Sequence, residues 1–218
     1  NSRVLIRRSN EVIPEILGCV GHAENSIDVV KPEVCPFCGQ QLTETGANLF
    51  CTNRLCKPRI VATLAHFASK GAMDIDGFSE ATATAMHDTL GVQRASALYS
   101  LTAEDLGKLE GFKEKKVNNL LAAIERSRNV TLDAFIFALG VDGVGKVASK
   151  ALAEHFGSLE SLRAATEEEL VNLNDIGEIT ARAIVGWFGD SYNASEVDAL
   201  LGEVRIKERE NAVASGIF

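Results

Sequence analysis

Apolar positions recur with helical spacing over most of the chain. Val61, Leu64, Ala65 and Ala68 fall at i, i+3, i+4 and i+7, and Gly71 is placed to end that helix. Val117, Leu120, Leu121 and Ile124 show the same spacing, and helical patterning continues to about Leu201. The first 30 residues read differently. Val4-Leu5-Ile6, then Arg7-Arg8 and Val12-Ile13-Pro14, are strand-like, yet one or two strands cannot bury a face alone. Their sheet is expected to lie mostly outside this chain. After Leu201 the sequence turns polar (GEVRIKERENAVASGIF) and reads as a linker.

The helical part repeats itself. A glycine-bearing hairpin recurs at Asp76-Gly77-Phe78-Ser79, Glu110-Gly111-Phe112-Lys113, Asp142-Gly143-Val144-Gly145 and Asn174-Asp175-Ile176-Gly177. Positions 77, 111, 143 and 175 are separated by 34, 32 and 32 residues. Six past each stands a small or apolar residue: Ala83, Val117, Ser149 and Ala181. Four hairpins at near-constant spacing predict a mainly α fold of four tandem helix-hairpin-helix repeats. A small four-cysteine module and a truncated β segment precede them. The expected divisions are 1–30, 31–60, 61–202 and 203–218: β remnant, cysteine module, helical domain and linker.

Cys35, Cys38, Cys51 and Cys56 give C-x2-C-x12-C-x4-C. Two thiolates from one tight turn can fill two corners of a tetrahedron, with Gly39 letting the chain fold back, and the second pair fills the others. Such a closed set suits a structural Zn²⁺ and leaves no position for a catalytic water. Four thiolates alone do not identify the metal, so an iron–sulfur cluster and metal-free thiols stay as alternatives. Cys19, the odd cysteine, reads as a reduced thiol.

The hairpins suit phosphate. A helix N-terminus offers unpaired N–H groups and a partial positive charge, and glycine lets a phosphate approach the backbone. The apolar centre (Phe78, Phe112, Val144, Ile176) anchors each turn. The candidate DNA-binding residues are Gly77, Phe78 and Ser79; Gly111, Phe112, Lys113, Lys115 and Lys116; Gly143, Val144, Gly145, Lys146 and Lys150; and Gly177. Backbone contacts carry no base information, so binding is expected to be independent of sequence. The fourth hairpin departs most, because Asp175 replaces the first glycine and its charge repels phosphate. No catalytic or cofactor-binding residue stands out. His22, His66, His87 and His155 are scattered, Asp74 and Asp76 read as turn residues, and Glu167, Glu168 and Glu169 as a helix start.

Composition limits the partners. The 218 residues carry a net charge of −8, which at first argues against nucleic acid. The charge is uneven: residues 151–218 hold 5 Lys/Arg and 13 Asp/Glu (5 − 13 = −8), so residues 1–150 balance at 17 of each. DNA is therefore expected against the first three repeats more than the fourth. No apolar run approaches the ~18 residues of a membrane span; the longest, Ala134 to Val141, has eight. The chain starts at Asn1 without an apolar signal core and looks like part of a longer protein.

A four-cysteine module followed by four such repeats resembles the C-terminal half of a bacterial NAD-dependent DNA ligase. Val4-Leu5-Ile6-Arg7-Arg8 and Asn10-Glu11-Val12-Ile13-Pro14 are similar to the end of that family's oligonucleotide-binding barrel. The tail sits where the family continues into a BRCT domain, which this chain does not contain. The resemblance implies an enzyme that seals nicks, joining a 3′-hydroxyl to a 5′-phosphate through enzyme-AMP and DNA-AMP. It implies a bacterial cytoplasmic, nucleoid-associated protein with no membrane partner. NAD⁺ and Mg²⁺ would bind outside this chain. The family's K-x-D-G lysine motif does not occur in the sequence, so this segment is expected to be inactive alone. Its expected partners are nicked double-stranded DNA and the adenylation domain of the same protein. The alternatives are a DNA-binding module of another repair protein and a helical protein-interaction scaffold.

Overall fold

The structure is a computed structural model that describes residues 2–9, 13–27 and 30–207. It divides into two units, Asn1–Thr52 and Asn53–Phe218. In the first, β1 (Ser2–Ser9) pairs antiparallel with β2 (Ile13–His22), with register shifts at Arg3/Val4 and Leu5/Ile6. Val4, Leu5, Ile6, Ile13 and Ile16 are all exposed, as expected where a sheet has too few strands to cover either face. Asn10, Glu11 and Val12, part of the strand-like stretch, lie outside the described residues. β3 (Leu42–Thr45) and β4 (Asn48–Cys51) form a hairpin across Gly46-Ala47, and Gly46 supplies the positive φ of 61° that a two-residue turn needs.

The second unit is helical. α1 (Lys57–Phe67) and α2 (Glu80–Leu90) are followed by a 3₁₀ turn (Ala95–Ser100), α3 (Ala103–Gly107) and α4 (Glu114–Ser127). A short strand, β5 (Asn129–Thr131), leads into α5 (Leu132–Ala138), α6 (Lys146–Phe156) and α7 (Leu159–Arg163). Then come α8 (Glu167–Val171), α9 (Glu178–Gly189), α10 (Ser191–Glu203) and β6 (Arg205–Lys207). α1 packs on α2, α3 on α4, α5 on α6 and α8 on α9, so each predicted repeat is a pair of packed helices. Leu64, Phe67, Met86, Leu120, Phe135 and Leu152 belong to one continuous core that runs through the repeats.

Two local expectations change. α1 begins at Lys57, with Pro58 in the first turn where no N–H bond is lost, and ends at Phe67 rather than at Gly71. Ile60, Leu64 and Phe67 are buried on α1, so the buried face includes the expected Leu64 and is widened by Ile60 and Phe67, with Ala68 buried just past the helix and Val61 half-buried against the core. The chain then turns tightly, Met73 N–H donating to Phe67 C=O (3.0 Å), and Gly71 serves that turn at φ +90°. At the other end, residues 203–207 are not yet linker. β6 pairs parallel with β5, Val204 is buried, and Arg205 N–H donates to Arg128 C=O. Residues 208–218 of the expected linker lie outside the described residues.

Polar bonds hold the repeats in register. Arg128, at the C-terminus of α4, donates to Tyr99 C=O (3.0 Å) and to the Glu203 carboxylate (2.6 Å) and carbonyl (2.9 Å). His66 Nε2 lies 2.7 Å from Phe137 C=O and ties α1 to α5. Thr102 and Thr166 close capping boxes with Asp105 and Glu169, so Glu167, Glu168 and Glu169 open α8 as expected of acids at a helix start.

Asp190 caps α10, accepting from Tyr192 and Asn193 N–H, and accepts two bonds of 2.7 Å from Arg54. The Arg54 hydrogen bonds, followed by the helix N–H groups, lower its carboxyl from 3.8 to about 2. Because the folded value is the lower one, the stability it contributes is complete above pH 4 and is lost as pH falls toward 2. Asp190→Asn keeps a capping oxygen and removes the charge. Urea unfolding at pH 5 and pH 3 is expected to show a smaller acid loss in this variant than in the wild type. In the core, Phe135→Ala is expected to cost about 3–5 kcal/mol, measured by the same method.

Candidate metal centre and nucleic-acid interface

The cysteine loop is built from two tight turns. Gly39 N–H donates to Cys35 C=O (2.9 Å) and Gly39 takes φ +72°, so the chain reverses directly after Cys38. Cys35 N–H donates to Gln40 C=O (2.8 Å), closing the same turn. In the second, Asn53 Oδ1 accepts from Leu55 N–H (2.9 Å) and Cys56 N–H donates to Asn53 C=O (3.1 Å). Asn53 was not singled out in the sequence; its signal is an Asx turn three residues before a cysteine. Cys56 is the N-cap of α1, where the helix dipole favours a thiolate.

The ligand atoms of Cys35, Cys38, Cys51 and Cys56 all lie within 4.8 Å of one another. Cys38 and Cys51 Sγ are 3.5 Å apart. Sulfurs at ~2.3 Å from a tetrahedral Zn²⁺ stand roughly 3.8 Å from each other, so the set fits that ion. Cys35 and Cys56 are buried, 5% and 1% exposed. Among the described residues no other group of three or more His, Cys, Asp or Glu is gathered this way. The four histidines stay apart, as their positions in the sequence suggest: His22 lies near Ser2 and Cys19, His87 near Asp88, and His155 against Phe156.

The hairpins share one backbone geometry. Gly77, Gly111, Gly143 and Asp175 all have positive φ: 82°, 74°, 81° and 67°. The next residue closes each turn with the same bond. Phe78 N–H donates to Ile75 C=O (3.2 Å), Phe112 to Leu109 (3.1 Å), Val144 to Val141 (3.0 Å) and Ile176 to Leu173 (3.3 Å). The residue after that is an extended N-cap: Ser79, Lys113, Gly145 and Gly177. Its carbonyl accepts from Ala83, Val117, Ser149 and Ala181, all four buried. Val144 and Ile176 are buried and Phe78 and Phe112 half-buried, as anchors should be. Because the anchor N–H is spent inside the turn, the donors left for a ligand belong to the N-cap and the first helical turn.

The side chains around these turns differ. Ser79 Oγ accepts from Thr82 N–H (3.2 Å) and so serves as the cap of α2. Lys113, Lys115 and Lys116 are exposed at the start of α4, with Lys116 Nζ 3.7 Å over the Phe112 ring. Lys150 is exposed on α6. Lys146 Nζ donates to Lys70 C=O (3.0 Å), so it also braces the first repeat against the third. A Cβ at Gly77 or Gly111 would meet open space, whereas one at Gly143 would lie 2.9 Å from Thr180 Oγ1. Asp74 and Asp76 are turn residues; Asp74 takes φ +49° and Asp76 lies 3.6 Å from Arg126. A cleft of ≈ 800 Å³ beside the third hairpin is lined by Arg54, Arg94, Trp187 and Tyr192 among others. Two of its arginines serve the fold, Arg54 on Asp190 and Arg94 stacked 3.9 Å over Tyr192.

No helix among the described residues is long and apolar enough to cross a membrane.

Comparison with known proteins matches the two halves of the helical region to helix-hairpin-helix families. Residues 70–126 match the SAM-like helix-hairpin-helix tandem, and residues 134–197 match the helix-hairpin-helix motif. A DNA ligase of Alkaliphilus metalliredigens is 44% identical over 221 residues, covering 98% of this chain and 34% of that protein. A DNA ligase of Clostridium novyi is 43% identical over 220 residues, covering 100% and 33%. One of Finegoldia magna is 42% identical over 214 residues, covering 97% and 32%. The chain spans about a third of the length of the curated relatives it matches. It belongs with the bacterial DNA ligases as a segment of about one third, one that carries helix-hairpin-helix motifs and a four-cysteine cluster.

Proposed function

We propose that this chain grips nicked duplex DNA by its backbone, so that the adenylation domain of the same ligase can act at the nick. The observation that carries this reading is the fourfold hairpin. A left-handed residue and one conserved-geometry turn bond open α2, α4, α6 and α9 at equivalent points. Helix N-termini of this kind bind phosphate through N–H groups and the dipole, without reading bases. Gly77, Phe78 and Ser79 would act in the first repeat, and Gly111, Phe112, Lys113, Lys115 and Lys116 in the second. Gly143, Val144, Gly145, Lys146 and Lys150 would act in the third, and Gly177 in the fourth. The anchors Phe78, Phe112 and Val144 act by shaping the turn, since their own N–H groups are used within it. Sealing through enzyme-AMP and DNA-AMP, with NAD⁺ and Mg²⁺, is the proposed activity of the whole ligase, and the residues of this chain hold rather than react.

Cys35, Cys38, Cys51 and Cys56 would hold a structural Zn²⁺, which supplies folding energy to residues 31–60 on the order of 10 kcal/mol. Asn53 and Gly39 set the turns that present the thiolates. In this reading residues 1–30 are a β remnant and 31–60 the zinc module, the hairpin domain extends from 61 past 202 to take in β6, and the linker follows it.

Elemental analysis is expected to find zinc in the purified chain. A strong chelator or Cys51→Ser should then remove circular dichroism signal from the module. An unchanged spectrum and unchanged DNA binding would refute the structural role.

For the hairpins, contact with six phosphates lowers affinity about a thousandfold between 50 and 200 mM salt. Gly111→Asp places an acid where Asp175 already shows that the backbone tolerates one, and it meets open space. It should weaken binding of nicked duplex at least several-fold, with the melting temperature nearly unchanged. Asp175→Gly should strengthen it. Fluorescence anisotropy across a salt series measures both, and a flat salt response would favour the scaffold reading.

A further inference from the structure

Between Cys51 and Cys56 stand Thr52-Asn53-Arg54-Leu55, and one of them reaches far along the chain. Arg54 sends both arms of its guanidinium to Asp190, two bonds of 2.7 Å across 136 residues of sequence. Asp190 is the single residue between α9 and α10, and one of its oxygens also accepts from Tyr192 and Asn193 N–H. The Arg54 guanidinium lies 5.2 Å from the centre of the Tyr192 ring, and that of Arg94 lies 3.9 Å from it. Further along α10, the Glu196 carboxylate accepts from Ser96 N–H and Oγ, at 2.8 Å each. One polar network therefore runs from the C-x4-C loop to the α9–α10 corner and on to the 3₁₀ turn.

An isolated ion pair as exposed as this one would fix little. Here the carboxylate is already oriented by the α10 backbone, so the planar guanidinium fork meets it squarely in one orientation. Arg54 stands two residues before Cys56, inside the turn that the Asn53 side chain closes on Leu55 N–H. Anchoring its side chain holds the backbone that presents the Cys56 thiolate. A turn that is ordered beforehand costs no conformational entropy when a metal binds. Lys57, on the other side of Cys56, makes a single 2.6 Å contact to Asp88 from within α1, where the helix itself sets the backbone. Trp187, the one tryptophan of the sequence, lies at the far end of the network. Its carbonyl accepts from the Asn193 side chain (3.1 Å), the same residue whose N–H bonds Asp190.

We propose that Arg54 is a positioning residue for the metal centre, an inference that rests on the zinc reading of the four cysteines. Held by Asp190, it presets the turn that presents Cys56. Zinc binding and the order of the α9–α10 corner are thereby coupled, and by linkage each strengthens the other.

The test uses the 218-residue chain loaded with Zn²⁺ and titrated with a chromophoric chelator, with Trp187 fluorescence followed in the same titration. Arg54→Gln and Asp190→Asn are each expected to lower zinc affinity about fivefold, short of the roughly 10–100-fold lost with groups bonded directly to a ligand. Asp190→Asn keeps a capping oxygen, and helical circular dichroism checks that α10 still forms. The double variant should lose no more than either single one, because the two side chains act as a unit. Zinc removal is expected to shift Trp187 emission in the wild type, and to leave it unmoved in both variants. Arg54→Lys keeps the charge, lacks the fork, and should behave like Arg54→Gln. Lys57→Gln removes the same charge beside Cys56 and should leave the Trp187 shift intact. Wild-type zinc affinity in Arg54→Gln and Asp190→Asn, or a wild-type Trp187 signal that ignores zinc, would overturn the proposal. Equal losses in Lys57→Gln and Arg54→Gln, with Arg54→Lys restoring affinity, would overturn it too, by reducing the effect to charge. A wild-type chain that binds no zinc would instead refute the metal reading beneath it.

Discussion

A backbone dihedral governs this molecule more than any side chain does. At 77, 111, 143 and 175 the chain passes through the left-handed region, and the next N–H bonds back to a carbonyl three residues earlier. That combination reverses the chain in the fewest residues that still let two helices pack face to face. The apolar anchor packs against the core, and the small residue six positions on, such as Ala83 or Ala181, is fully buried. Change the dihedral and the outgoing helix starts in another direction. The core and the presentation of N-terminal N–H groups would both be lost.

The hairpins were legible because glycine at a fixed interval of 32 to 34 residues is hard to produce by chance. The cysteine cluster was legible because ligand spacing is a local property, and Gly39 at φ +72° is the turn that C-x2-C-G suggests. What sequence could not supply depends on tertiary contacts. His66 meets Phe137 across 71 residues, and Arg128 meets Glu203 across 75. No local pattern encodes such pairs. The buried face of α1 is wider than a single i, i+3, i+4, i+7 stripe, because Ile60 and Phe67 are buried beside the expected Leu64 and Ala68. β6 escaped notice because three residues, Arg205-Ile206-Lys207, carry too little pattern to announce a strand.

Charged side chains act here mainly as braces. Arg54 holds the cap of α10, Arg128 joins three elements, and Lys146 reaches from the third repeat to the carbonyl of Lys70. Each uses a long side chain to reach a carbonyl or carboxylate in a turn or near an element's end. A basic residue near a hairpin is therefore not automatically a ligand contact. Lys113, Lys115 and Lys116 differ from Lys146 in this respect, being exposed at a helix start rather than anchored to a neighbouring repeat.

Asp175 occupies the same backbone conformation as the three glycines although it carries a side chain that disfavours it. The surroundings, then, impose the turn, and the residue merely has to tolerate it. Shape and charge can vary separately at such positions. Exchanging glycine for aspartate at one of these positions changes the charge beside one hairpin and leaves the backbone turn as it is.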